Sequence, residues 1–284
     1  MYGEYEDSVL KKLHDCEMEI LKDFISVCEK NNIEYFAISG TAIGALRHQG
    51  FIPWDDDIDI AMLREDYVRF IKAARKDKAI MDKYEFWGPD MKKKYYNLQP
   101  IMVRKNTVFV NENAAAGGYR PGIFMDIFIY DHIPENKEEA DKIIKKCRKY
   151  KILYLTRNIN YFKLLKNQTT FQKFKNIILG FTRLFMKLFP DIDRVIYKKF
   201  YECATSYKGT SDKYTCLFDP GSEIMHIWKS KSYPTIKKPF EDIEIRMVKN
   251  YDEQLRTHMG EYMTLPPENK RTNHFPVELD FGDM

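Results

Sequence analysis

An α+β fold, with a mixed sheet flanked by helices and a basic helical insertion, is what this sequence predicts. Three observations point to it. Before residue 130, short Ile-rich runs alternate with apolar stripes at helical spacing. In one of those runs, Asp57-Ile58-Asp59-Ile60, acidic and apolar side chains alternate with the period of a strand. From Lys142 to Pro190 the chain carries 13 Lys or Arg and no Asp or Glu.

The elements follow in order. Leu10, Leu13, Ile20, Leu21, Phe24 and Cys28 recur at helical spacing, so about Ser8 to Lys30 is a helix, closed by Asn31-Asn32. Ile33 to Ile38 reads as a strand entering Ser39-Gly40-Thr41, and Ala42 to His48 as a short helix leaving that turn. Gly50, Pro53 and the aspartates mark a loop, Ile58 to Leu63 a second strand. Asp66 to Arg75 is a helix with Tyr67, Phe70, Ile71 and Ala74 on one face. Residues 96 to 110 read as a strand pair around Gln99-Pro100, and Asn111 to Pro121 as a mobile Gly- and Ala-rich loop. Ile123 to Ile129 is the most strand-like run, with Asp126 alone in its middle. Phe171, Phe174, Ile177, Ile178, Phe181, Leu184, Phe185 and Leu188 trace a helical stripe inside the basic segment. Residues 191 to 235 are mixed. Phe240 to Val248 alternates as a strand, Asp252 to Met259 is a helix closed by Gly260, and Leu265 to Met284 is a Pro-rich, extended tail.

The carboxylates carry the chemistry. A strand places Asp57 and Asp59 on one side and turns Ile58 and Ile60 to the core. Like charges held so close are unfavourable unless a cation lies between them, and oxygen donors favour Mg²⁺ or Mn²⁺. Asp126 can complete such a site from a neighbouring strand, because a lone buried carboxylate is costly unless paired or metal-bound. Asp131, five residues on, is the rival third ligand. A solvated aspartate run is the plain alternative. A calcium loop from Asp55 fails, since Ile60 takes the required Gly position and Asp66 stands where a bidentate Glu belongs. Ahead of the acids, the Gly40-Thr41 turn lets backbone N–H groups approach a phosphate, which Arg47 can meet bidentately. A strand, a Gly-small turn, a helix and a D-x-D strand is the order found in nucleotidyltransferases.

The stretch Gly40-Thr41-Ala42-Ile43-Gly44-Ala45-Leu46-Arg47-His48-Gln49-Gly50-Phe51-Ile52-Pro53-Trp54-Asp55-Asp56-Asp57-Ile58-Asp59-Ile60 resembles the signature of the LicD family, which includes the fukutin-related phosphotransferases. The resemblance reaches upstream through Cys28 to Ile33 and downstream through Asp66-Tyr67 and Met125 to Phe128. It closes with Tyr262-Met263, Leu265-Pro266-Pro267, Arg271 and His274. It implies a polymerase-beta-like nucleotidyltransferase fold as one domain over 1–284, with the helical insertion at about 137–235 and a family segment at 240–284. It implies transfer of a phospho-alcohol, often phosphocholine, from CDP-choline or a related donor. The acceptor would be a hydroxyl of a cell-surface glycan, such as lipopolysaccharide or teichoic acid, or of its lipid-linked precursor. Asp57, Asp59 and Asp126 look like the metal ligands, with Asp126 also taking the acceptor proton. His48 joins them as a catalytic residue. Gly40, Thr41, Arg47, Trp54, Arg271 and His274 look like donor-binding residues. Two departures stand out: the spacing from Thr41 to Asp57 is longer than in typical nucleotidyltransferases, and Lys249-Asn250 stands where relatives carry a Pro.

Bulk properties narrow the remaining choices. A chain of 284 residues, 44% hydrophobic, can bury a core as a single domain with appendages. A net charge of +4 is too mild to argue for a nucleic-acid partner. The five cysteines form no C-x-x-C pair and fit a reducing compartment, and the acidic N-terminus does not read as a secretory signal, so a cytoplasmic location is expected. The longest apolar stretch, Ile177 to Phe189, contains Arg183 and Lys187 and should not span a bilayer. A basic amphipathic helix within 142–190 can instead lie on the inner membrane leaflet, or pack on the core with a solvated basic face. Rival activities are a nucleotidyltransferase releasing pyrophosphate, a D-x-D glycosyltransferase and a non-catalytic scaffold.

Overall fold

In a computed structural model, residues 3–166, 168–218 and 226–283 are described. Helix α1 (Asp7–Lys30) buries Leu13, Cys16, Ile20, Leu21, Phe24, Val27 and Cys28 along one face. The ring of Phe24 lies 5.1 Å from that of Tyr35 and 4.7 Å from that of Phe70. Each fully buried side chain of this size contributes about 1.5–3 kcal/mol, and the stripe holds α1 against the sheet.

The N-terminal half then runs β1 (Phe36–Ala37), α2 (Ser39–Arg47), β2 (Asp59–Leu63), α3 (Arg64–Ala74), α4 (Lys78–Lys83), β3 (Tyr84–Trp87), β4 (Ile101–Arg104), β5 (Val108–Val110), α5 (Glu112–Gly117) and β6 (Phe124–His132). The second half supplies α6 (Lys137–Asn158), α7 (Thr170–Met186), α8 (Ile192–Ala204), β7 (Lys213–Cys216), β8 (His226–Trp228), α9 (Lys229–Ser232), β9 (Ile236–Phe240), β10 (Ile243–Met247), α10 (Tyr251–Met259) and β11 (Glu278–Asp280). Among the described residues, no helix is long and apolar enough to cross a membrane.

The fold is mixed α+β, and β6 is its axis. The main sheet has the order β1-β2-β6-β4-β3, with β7 on the far end of β6 and β8 beside β7. Strands β2 and β6 are parallel, and the other pairs are antiparallel. Burial alternates along Phe124 to Ile129, with Met125, Ile127 and Ile129 buried and Phe124, Asp126 and Phe128 half-buried. In the β2–β6 register Asp59 stands opposite Asp126 and Ile60 opposite Ile127. The pleat therefore brings two acids side by side on one face and two isoleucines on the other.

Several expectations need correction. Residues 96 to 110 are not a strand pair: β4 takes β3 and β6 as partners, while β5 pairs with β11 from the tail. Their partners lie far away in sequence, which local pattern does not reveal. The loop expected at 111 to 121 contains α5, because Asn111 caps the Ala-rich stretch by accepting from the N–H of Ala114 and Gly118 closes it at φ 81°. Helix α2 begins at Ser39 rather than Ala42, so Gly40 and Thr41 belong to its first turn. The strand expected from Phe240 is the second arm of the β9–β10 hairpin, with Glu241 at φ 52° in the turn. The segment 137–235 supplies three long helices and also β7 and β8, which extend the main sheet.

Asp131, 3% exposed, receives a bidentate pair of hydrogen bonds from Arg64, one of them 2.7 Å from Nη2 to Oδ2. That pair accounts for the acid that rivals Asp126. Replacing Arg64 with Leu leaves a buried carboxylate uncompensated and should cost about 3–5 kcal/mol in urea unfolding. A double replacement, Arg64→Leu with Asp131→Leu, should recover most of that loss; an unchanged midpoint in the single variant would refute the pairing's role.

Candidate active site

A cavity of about 260 Å³ opens beside the β2–β6 pair. Five acids reach it: Glu17 from α1, Asp56 and Asp57 from the loop before β2, Asp59 from β2 and Asp126 from β6. Five aromatic side chains, Tyr95, Tyr96, Phe109, Phe124 and Phe128, line the same cavity, Phe124 and Phe128 flanking Asp126 on one face of β6. Gln99, Asn97, Asn111, Lys151 and His274 complete the lining.

Carboxylate oxygens of Asp57, Asp59 and Asp126 lie within 4.8 Å of one another, and so do ligand atoms of Asp56, Asp57 and His274. Asp57 belongs to both groups. The all-carboxylate set of Asp57, Asp59 and Asp126, hard oxygens partly shielded from water, can hold a divalent cation of the Mg²⁺ or Mn²⁺ type. Crowding shows in the proton affinities. Burial, then the charge of Asp57, raises Asp126 to about 7. Burial, then Asp57 and Asp56, raises Asp55 to about 8. Asp59 and Glu17 are pushed well above the ordinary carboxylate range, by burial first and then by neighbouring acids.

Hydrogen bonds hold the cluster. Gln99 Nε2 donates to Asp126 Oδ1 at 2.8 Å. The backbone N–H of Asp59 donates to Thr41 Oγ1 at 2.8 Å, so α2 fixes the start of β2. Gly40 lies against Asp55, whose carboxylate fills the space a Cβ would need. Ser39, just ahead, holds φ at 50°, a strained setting for a side-chain-bearing residue. Asp56 is buried and tied from both ends of the chain: Tyr5 OH donates to Oδ2 at 2.6 Å and the His274 N–H to Oδ1 at 2.7 Å. His274 Nδ1 lies 3.1 Å from Asp57 Oδ2. Hydrogen bonds to Asp56 and Asp57 push the His274 imidazole up to about 12, so it enters the cluster as a cation.

The structure thus gathers Asp57, Asp59, Asp126 and His274 on one cavity and sets Gly40 and Thr41 directly behind them. It places the other named residues elsewhere. Arg47 donates to the carbonyls of Tyr262 at 2.6 Å and Thr264 at 3.3 Å, and its Nε to His48 Nε2 at 2.9 Å. This pair fastens α2 to the C-terminal segment and does not line the cavity. The Arg271 guanidinium covers the Trp54 ring at 4.3 Å, so each stacks on the other.

Residues that sequence reasoning missed had signals of unequal strength. Glu17 falls within the apolar stripe of α1, between Leu13 and Ile20. Lys151 falls within that of α6, between Cys147 and Tyr154. A charge on a buried helical face is a readable anomaly. Tyr5, Gln99 and the aromatic wall carry no such mark.

Residues 32–152 match the LicD/FKTN/FKRP nucleotidyltransferase domain. The chain is also 29% identical, over 90% of its length and 92% of the relative's, to the lipopolysaccharide cholinephosphotransferase LicD of Haemophilus influenzae. A shorter match, 50% identical over 52 residues, joins it to an uncharacterized protein of Rickettsia typhi, covering 18% of this chain and 17% of that one. Residues 32–152 are thus similar to the LicD/FKTN/FKRP nucleotidyltransferase domain, and most of the chain is similar to a cholinephosphotransferase.

The raised carboxylates set a pH dependence. Asp126 and Asp55 bind protons more tightly when folded, at about 7 and about 8, than at their ordinary 3.8. Their contribution to stability is therefore full below about pH 4 and lost as pH rises through 7 to 8. In metal-free buffer the melting temperature should fall over that window. Added Mg²⁺ or Mn²⁺ should restore it, most at the alkaline end. A metal-free melting temperature that climbs toward pH 8 would contradict the clustering.

Proposed function

We propose that the protein transfers phosphocholine from CDP-choline to a hydroxyl of a cell-surface glycan or its lipid-linked precursor, on a polymerase-beta-like site. One observation carries the reading: Asp59 and Asp126 on adjacent parallel strands and Asp57 from the loop before β2 converge on a cavity also lined by aromatic side chains. The acids suit a metal-bound pyrophosphate, and the aromatic faces suit a quaternary ammonium, which is attracted to ring quadrupoles. The Haemophilus relative's name supports choline and lipopolysaccharide as the substrate pair.

Asp57, Asp59 and Asp126 are the metal ligands in this reading. When bound, Mg²⁺ or Mn²⁺ neutralises the donor's pyrophosphate and eases departure of CMP. Gln99 orients Asp126, which takes the proton of the attacking hydroxyl. Lys151 and the cationic His274 add positive charge beside the donor phosphates. Thr41 and Gly40 position β2 and its carboxylates behind the phosphates. Phe124 and Phe128 line the pocket for the trimethylammonium group.

The deciding assay incubates the protein with CDP-choline, Mg²⁺ and cell-envelope glycans and follows CMP. Asp57→Asn should lower metal-dependent CMP release by at least about a hundredfold. Pyrophosphate from CTP, with no CMP from any CDP-alcohol, would replace this reading with nucleotidyl transfer.

Choline recognition has its own test. Phe124→Leu with Phe128→Leu should raise KM for CDP-choline about tenfold and leave KM for CDP-glycerol nearly unchanged. Equal changes for both donors would remove the aromatic wall from choline recognition.

A further inference from the structure

Helix α7 is inside out. Its cap is well formed, with Thr169 and Gln172 making a reciprocal capping box. The residues it buries are Asn176, Gly180 and Met186. Asn176 donates to Gln168 Oε1 at 2.8 Å, and Gly180 leaves room for the ring of Phe162, which would lie 2.6 Å from an added Cβ. The apolar stripe faces away from the protein. Phe171 is 78% exposed, Phe174 64%, Phe181 63%, Phe185 64% and Leu188 71%. A helix at the surface of a globular protein ordinarily turns its apolar stripe to the core and its polar side to water. Here the order is reversed, and the contiguous apolar face is of the kind that marks an interaction surface.

Charge says what covers it. Lys163, Lys166, Lys173, Lys175 and Lys187 are exposed around the stripe, and no acid occurs between Lys142 and Pro190. Arg157 on α6 and Arg183 on α7 lie near one another, each with a buried Nε that finds no hydrogen-bond partner among the described residues. Burial, then the neighbouring Arg157, lowers the pKa of Arg183. A second copy of this chain laid on the stripe would bring lysines against lysines. A surface that offers hydrocarbon at its centre and negative charge at its rim satisfies both halves of the pattern, and an anionic lipid leaflet is such a surface.

We propose that α7 docks the protein on an anionic membrane, with the Phe and Leu side chains entering the boundary between headgroups and acyl chains and the flanking lysines meeting lipid phosphates. The mode is peripheral, since the stripe lies along the helix. Helix α6, against which α7 packs, carries Lys151 to the cavity, so the membrane-facing surface is one helix away from the site. Nothing in this proposal depends on which group is transferred.

The test is co-sedimentation of the full chain with vesicles of phosphatidylcholine alone or mixed with phosphatidylglycerol. The protein should bind the mixed vesicles and not the neutral ones, and added salt should weaken binding. Phe181→Ser with Phe185→Ser should lower the bound-to-free ratio at least about tenfold. Both side chains are exposed, so circular dichroism and melting should stay unchanged. Lys173→Glu with Lys175→Glu keeps the apolar stripe and should abolish the preference for anionic vesicles. Absence of binding to mixed vesicles, or binding that survives the Phe→Ser pair, overturns the proposal. So does a dimer in sedimentation that the Phe→Ser pair dissolves while vesicles are ignored.

Discussion

Asp59 stands opposite Asp126 in a parallel ladder, and much of the molecule is arranged around those two neighbouring negative charges. At an effective dielectric near 20, two unit charges about 4 Å apart cost about 4 kcal/mol, a large fraction of a domain's net stability. Asp57 adds a third carboxylate to the same few ångströms. The surrounding contacts are answers to that repulsion. Gln99 donates to Asp126, Thr41 holds the Asp59 backbone in place, and His274 supplies a positive charge from the tail. Protonation relieves the remainder, and so would a divalent cation.

The acids were legible in the sequence because their signal is local. Two aspartates separated by one isoleucine, and a third alone in an apolar strand, stand out without knowledge of the fold. Which strands lie beside them was not legible. Strand β5 finds its partner in the tail at Glu278–Asp280, and only tertiary structure brings those residues together. Arg47 shows the converse limit. Its place after a Gly-Thr turn suggested a phosphate, but the carbonyls of Tyr262 and Thr264, remote in sequence, take its guanidinium. For α7 the stripe itself was plain, but periodicity defines a face and not its direction. The outward orientation depends on Gly180 admitting Phe162 on the opposite side.

Helix α6 links the two surfaces that matter. Its stripe of Ile144, Cys147 and Tyr154 is buried, and Lys151 in the same stripe enters the cavity. Its other neighbours include α7 with the exposed aromatic residues. One rigid element thus fixes the separation between the cavity and the exposed apolar face, so a ligand fixed in a leaflet would meet the site at a set height.

Asp56 joins the two ends of the chain, accepting from Tyr5 on one oxygen and from His274, 218 positions later, on the other. Asn273 and Gly3 exchange hydrogen bonds beside it, and Phe275 packs 4.6 Å from Tyr5. The consequence concerns the order of synthesis. On the ribosome the aspartates emerge long before the histidine that balances them. Until the tail has been made and folded back, the nascent site lacks the imidazole that lies between Asp56 and Asp57. A chain truncated before His274 would retain its acids without the residue that contacts both Asp56 and Asp57.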